Sequence, residues 1–171
     1  MDLKLNTKKA LVTGSTAGIG YAIARELAFT HILDQLPYDQ PFLFVDKLHT
    51  LTEEGAEGAY TFTQNADFYR GHFKDNPITP GVILTECMAQ IGLVCLGLFL
   101  LEQAGLKPSP LRIAFTESHV NFHKPVFPGE TVRVRSEKVY WRMGKLKCRV
   151  IMYNAREEKV CSGELSGIIR S

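Results

Sequence analysis

The segment from Pro80 to Gln103 constrains this chain most. Nearly every residue in it favours a helix. Thr79 and Pro80 suit the N-cap and the first helical position, and Gly105 suits the C-terminal cap. Its apolar residues, among them Val82, Leu84, Met88, Ile91, Leu96 and Phe99, fall on every face. A helix apolar all round is buried, in a protein core or in a bilayer. The uninterrupted apolar run Ile91–Leu101 has 11 residues, against roughly 20 for a span. Extending it backwards brings in Gln90 and Glu86. A carboxylate at mid-bilayer costs roughly 2.5–3.5 kcal/mol. The segment is therefore expected to be a long central helix wrapped by a sheet, not a membrane span.

Downstream of Leu111 the pattern changes to that of strands. Val132 and Val134 alternate with Arg133 and Arg135; Leu146, Cys148 and Val150 alternate with Lys145, Lys147 and Arg149. Breakers at Pro125–Gly129, Met143-Gly144 and Glu157-Glu158 separate the runs. These predict antiparallel strands joined by hairpins, with one apolar and one charged face. Upstream, Phe42–Leu48 and Gly58–Asn65 are expected to supply two more strands. The fold class is α+β: one long helix against a strongly curved antiparallel sheet, the hotdog arrangement.

The chemistry concentrates in Phe68–Gln90, FYRGHFKDNPITPGVILTECMAQ. It places His72 in a loop rich in Gly and Pro, and 14 residues later Glu86 in an otherwise apolar helix. A carboxylate in apolar surroundings near a histidine suits proton transfer. Gln90, one turn after Glu86, is expected to bond locally and is not a catalytic candidate. His119 and His123 fall on a predicted strand, which separates them by about 13 Å, too far to share a zinc ion. The sequence alone points to no metal-ligand partner for His31 or His49, so no metal site is expected.

Here a family resemblance emerges. From His31 onward the chain resembles the β-hydroxyacyl-acyl carrier protein dehydratases of bacterial fatty acid synthesis. The resemblance runs through ILDQLPYDQPFLFVDKL, the block Phe68–Gln90 and VNFHKPVFPGETV, and covers about 140 of the 171 residues in order. Lys74, Thr79 and Cys87 depart from the family's usual residues and leave the His/Glu pair intact. The resemblance implies that His72 is the catalytic histidine and Glu86 the catalytic carboxylate. It implies that the Gly81 backbone N–H holds the thioester carbonyl. It also implies an acyl carrier protein substrate and a homodimer, with a trimer of dimers as a larger assembly. In that dimer His72 of one subunit faces Glu86 of the other.

The proposed chemistry makes physical sense. Dehydrating a 3-hydroxyacyl thioester removes an α-proton and expels hydroxide. Imidazole suits the base, a carboxylic acid can protonate the leaving oxygen, and free N–H groups at a helix start can hold an enolate oxygen. No metal or organic cofactor is required. Two other readings remain at this stage: a related hotdog acyl thioesterase or enoyl hydratase, and a non-catalytic acyl-thioester-binding subunit.

Residues 1–30 are read as a separate extension ahead of a domain over 31–171. KKALVTGSTAGIGYAIARELA resembles the opening of a short-chain dehydrogenase/reductase, with Thr13, Gly14, Gly18, Ile19 and Gly20 in a dinucleotide-binding turn. The rest of a Rossmann unit and a Tyr-x3-Lys pair are missing. A short strand/helix extension, without a nucleotide site, is therefore expected. It is read as a remnant, either of a gene fusion or of cloning.

A net charge of +2 argues against a general nucleic-acid binder. Cys87, Cys95, Cys148 and Cys161 form no C-x2-C pair and are expected as free thiols in a reducing cytoplasm, the N-terminus having no secretory hydrophobic segment. Arg133, Arg135, Lys138, Arg142, Lys145, Lys147 and Arg149 cluster on adjacent predicted strands. They constitute either a solvated face or a docking surface for an acidic carrier protein.

Overall fold

Among the described residues, six antiparallel strands and one long helix make up the fold. The computed structural model describes residues 28–106 and 112–170. A short helix α1 (Thr30–Leu33) precedes strands β1 (Lys47–Thr52) and β2 (Gly55–Thr61). The central helix α2 (Gly81–Gln103) follows, then β3 (Arg112–Phe122), β4 (Thr131–Arg142), β5 (Lys145–Asn154) and β6 (Lys159–Arg170). The sheet order is β1-β2-β4-β5-β6-β3, which leaves β1 and β3 at the edges. The strand and turn expected before residue 28 lie outside the described residues.

The sheet strands follow the sequence pattern most closely in β4 and β5. Val132, Val134, Leu146, Cys148, Val150 and Met152 are buried, and the charged residues between them face outward. Their hairpin turns at Met143 (φ 51) and Gly144 (φ 76). Two consecutive positive φ angles are what a tight two-residue hairpin requires.

The first hairpin is displaced from expectation. β1 and β2 occupy Lys47–Thr52 and Gly55–Thr61, not Phe42–Leu48 and Gly58–Asn65. The apolar run at Phe42–Val45 looks like a strand and does enter the core at Phe44 and Val45. Its backbone is satisfied differently, because the Gln90 side chain bonds both the Phe42 carbonyl and the Phe44 N–H. Beyond Thr61, Phe62 exchanges backbone bonds with Gly129 and Glu130 rather than with β1.

The helix α2 is the core element. Its 23 residues are apolar enough for a bilayer by length and composition, yet most of its length is buried inside the protein. Side chains such as Ile91, Leu96 and Met88 are fully enclosed, each worth roughly 1.5–3 kcal/mol of burial. The sheet presses so closely that a Cβ at Gly97 would lie 2.0 Å from Ile169 Cδ1. Over Gln90–Cys95 the hydrogen bonding widens to the π pattern.

Both ends of α2 are informative. At the C-terminus Gly105 (φ 71) donates to Glu102 O and Leu106 donates to Leu101 O, each at 2.9 Å, the Schellman arrangement expected of that glycine. At the N-terminus the expectation needs correction. Pro80, not Thr79, holds the N-cap position, and no side chain caps the helix. Thr79 is buried instead, its hydroxyl 2.6 Å from that of Tyr69 and its N–H bonded to Val126 O.

The fold interleaves the basic cluster with acids. Arg133 pairs with Glu57 and Glu157, and Lys138 with Glu54. Lys147 pairs with Glu117 and Glu164, and Arg149 with Glu137 and Glu164. The depression of about 550 Å³ on this face carries Arg135 and Arg149 beside Glu54, Glu57 and Glu137. A face of mixed sign matches the solvated reading better than an electropositive landing site.

Candidate active site

The site is assembled where α2 begins. His72 lies in the loop after a single 3₁₀ turn at Asp67–Arg70. The loop is closed by bonds from Ile78 N–H to His72 O, at 3.0 Å, and between His72 Nδ1 and Ile78 O, at 2.9 Å. A carbonyl oxygen only accepts, so Nδ1 must carry the hydrogen. Nε2 of the neutral ring is then left with its lone pair, as a base requires. Phe73 stacks on the imidazole at 4.1 Å between ring centres, and Tyr69–Thr79 ties the loop to the helix start.

Glu86 is half-buried, not sealed in the core, and it faces a cavity of about 680 Å³. Gly81, Val82, Thr85 and Glu86 of α2 form one wall; Phe115, Ser118, Val120 and Phe122 of β3 form the other. The helix start is open: Gly81 and Val82 have N–H groups without acceptors among the described residues, while Ile83 and Leu84 already bond to Pro80 O. Free N–H groups with the positive end of a helix dipole behind them attract a developing negative charge. Phe122 brackets this point, for a Cβ at Gly81 would lie 3.0 Å from its ring.

The structure therefore brings Glu86 and Gly81 to one cavity. It does not bring His72 into that cavity within a single chain, since His72 is absent from its walls and bonds to Ile78 instead. The β3 wall was not recognised in sequence. Its apolar residues Phe115, Val120 and Phe122 change phase at a bulge between Phe115 and Glu117, which hides the alternation.

Gln90 makes the local bond expected of it and a distant one as well. Besides its local bond to Glu86 Oε1 at 2.9 Å, it reaches 46 residues away to the Phe44 N–H. Tyr38 lies within electrostatic reach of Glu86. Burial, with the Glu86 charge adding, pushes its hydroxyl up to about 12. His123, outside the site, is 3.0 Å from Ser162 Oγ.

Comparison with known proteins bears on this geometry. Residues 36–163 match the family model described as a FabA-like domain. A 3-hydroxyacyl-[acyl-carrier-protein] dehydratase FabZ of Caldicellulosiruptor saccharolyticus is 38% identical over 140 residues, covering 80% of this chain and 94% of the relative. Among solved structures, the dehydratase heterocomplex ApeI:P from Xenorhabdus doucetiae superposes with a TM-score of 0.69 at 10% identity, over 82% of this chain and 91% of that one. A hypothetical thioesterase from Streptococcus pneumoniae, solved with coenzyme A, gives 0.53 at 12% identity, over 73% and 88%. At such identities the two structures establish the fold alone. The family match and the alignment along nearly the whole of the FabZ relative go further, and on them the chain belongs to the FabA-like family of hotdog-fold proteins.

Proposed function

We propose that this chain is a 3-hydroxyacyl-[acyl-carrier-protein] dehydratase of fatty acid synthesis, with His72 as base and Glu86 as acid. The carrying observation is that the Glu86 carboxyl and an open helix N-terminus share one largely apolar cavity. The acyl chain lies along the β3 wall, and the thioester carbonyl accepts the Gly81 N–H. His72 Nε2 takes a proton from C2, the electron pair forms the C2=C3 bond, and the C3–O bond breaks. Glu86 protonates the departing oxygen, so the products are a trans-2-enoyl thioester and water. Exchange with solvent then returns a proton to Glu86 and removes one from His72.

The working unit is a homodimer in which His72 of one subunit completes the cavity of the other. Support comes from β3, an edge strand with exposed Phe115 and Phe122 beside the exposed Val82. An unpaired apolar edge of that length is a template for pairing. Residues 31–171 form the catalytic unit, in the cytoplasm, and 1–30 are dispensable.

The test is to follow enoyl-thioester absorbance with carrier-linked 3-hydroxyacyl substrates of several lengths, measuring free thiol alongside. Enoyl product without thiol release is expected. Thiol release without enoyl product would replace the reading by a thioesterase, and neither signal would leave a binding subunit.

A further inference from the structure

We infer that the tip of the β4–β5 hairpin, with the end of α2 beside it, is a contact surface for an anionic lipid bilayer. The inference goes beyond the dehydratase reading and does not depend on it. It starts from a difference among the cations of the sheet. Along the middle of β4 and β5, Arg133, Lys138, Lys147 and Arg149 are each held by a glutamate. Arg142 and Lys145, opposite each other at the turn, and Arg112, at the start of β3, have no acid partner among the described residues. The register gathers these three at one end of the sheet. Lys145 stands opposite Ile168, Arg112 opposite Arg170, and the Ile169 N–H bonds to Gly144 O at 2.8 Å.

The helix ends on the same side. Met88 meets Cys161 near the start of β6, whereas a Cβ at Gly97 would touch Ile169 near its end. α2 therefore runs alongside β6 and brings Leu106 to the hairpin end. Acids are scarce here. The strand positions 141–142, 145–146, 168–170 and 112–114 include none, nor does the segment KPSPL between α2 and β3. Glu102, in the last turn of α2, contacts His31. Into this positive end the turn raises Met143, 93% exposed, and Leu106 is 56% exposed. Met143 also has φ 51. Asparagine, aspartate or glycine suits that left-handed position, and a methionine is costly there. Its side chain recovers nothing by packing within the chain.

Cations around a projecting apolar side chain suit a peripheral contact with anionic lipid. The charges stay at the headgroups while the methionine enters the acyl boundary. A projecting turn encloses no small molecule. An acidic carrier protein seated on it would hold its thioester at the wrong end, because the 23 residues of α2 put about 33 Å between Gly81 and this tip. Contact through the tip leaves the Glu86 cavity turned away from the bilayer and open to substrate.

The full chain is tested by co-sedimentation with vesicles of phosphatidylglycerol and phosphatidylcholine, with folding checked by melting. The bound fraction should rise with phosphatidylglycerol content, vanish on pure phosphatidylcholine, and fall as salt increases from roughly 0.02 to 0.2 M. Trp141, the chain's single tryptophan, lies two residues from Met143 and reports on this tip. Phosphatidylglycerol with brominated acyl chains should quench its fluorescence. Arg142→Glu with Lys145→Glu should lower the lipid partition coefficient by about 10-fold or more, and Met143→Ser by about threefold. Turnover of soluble carrier-linked substrate should be unchanged in all of them. Should the charge reversals not fold, Met143→Ser and Arg142→Gln decide. Native binding by the tip variants, binding that ignores phosphatidylglycerol, or binding without quenching of Trp141 would overturn the inference. A raised KM for carrier-linked substrate with native lipid binding would make the tip a carrier site instead, and would overturn it too.

Discussion

The central helix passes through two unlike environments. From Cys87 to Leu101 the chain's own sheet closes over it, and Ile91, Leu96, Leu146 and Met152 are 0% exposed. At its first turn it faces β3 across an open cavity, where Val82 is 76%, Phe122 53% and Phe115 46% exposed. Apolar side chains line both regions. In one they are consumed by packing within the chain; in the other they stay exposed, where the proposed substrate and second copy would sit. Gly81 and Glu86, both with proposed chemical roles, line the open region; His72 is absent from its walls within one chain.

The contrast is open to attack. Its largest expected effect is chemical: His72→Ala or Glu86→Gln should lower kcat by about 10²–10⁴-fold with folding intact, read by enoyl-thioester absorbance. Near-native turnover in either would remove the chemistry from the open region. Next comes the sealed region. Leu146→Ala should cost about 2–5 kcal/mol in urea unfolding, through lost burial and a cavity. Phe122→Ala should cost well under that and should instead lower kcat/KM. Equal stability losses would show that the two regions are packed alike.

A smaller effect concerns the edge. Phe115→Lys places a charge on the exposed β3 edge and should shift the proposed dimer toward monomer in sedimentation, with activity falling in parallel. A fully dimeric, active variant would move the interface elsewhere. The smallest lies far from both regions, in the turn before β6. Bonds from Asn154 and Lys124 hold the Glu158 carboxyl down at about 2. A depressed carboxyl stabilises the fold above its unfolded pKa of about 4.3, and this is lost as pH falls through the folded value. The melting-temperature gap between native and Glu158→Gln should therefore be widest at neutral pH and close as pH drops toward about 2. A gap independent of pH would mean that the charge is irrelevant there.

How much of this is legible in the sequence depends on how each group is satisfied. The β4–β5 pairing is legible because alternation and a Met-Gly turn are local signals. The helix, and Glu86 on it, are legible because an apolar run between breakers is a local signal; the pairing of His72 with Glu86 rests on the resemblance, since within one chain His72 is absent from the Glu86 cavity. The placement of β1 is not, because Phe42–Val45 has the composition of a strand and is paired by a side chain distant in sequence. Gln90 looks local for the same reason. The β3 wall is hidden by its bulge, and the charge balance of the outer face appears only when strands distant in sequence lie side by side.

The widened turns at Gln90–Cys95 carry one more consequence. An α-helix advances about 100° per residue, so a turn that accommodates an extra residue offsets everything before it from everything after it by about that angle. The helix is in effect two rods spliced out of phase. One rod is rotated to suit Gly81 and Glu86, the other to seat Leu96–Leu101 against the sheet. Because both are apolar on all sides, the splice leaves no trace in the hydropathy pattern. Deleting a single residue such as Gly92 would restore a regular α-helix and leave Glu86 facing β3, whereas tightening these turns to the α pattern with every residue kept would swing Glu86 by about 100° away from it.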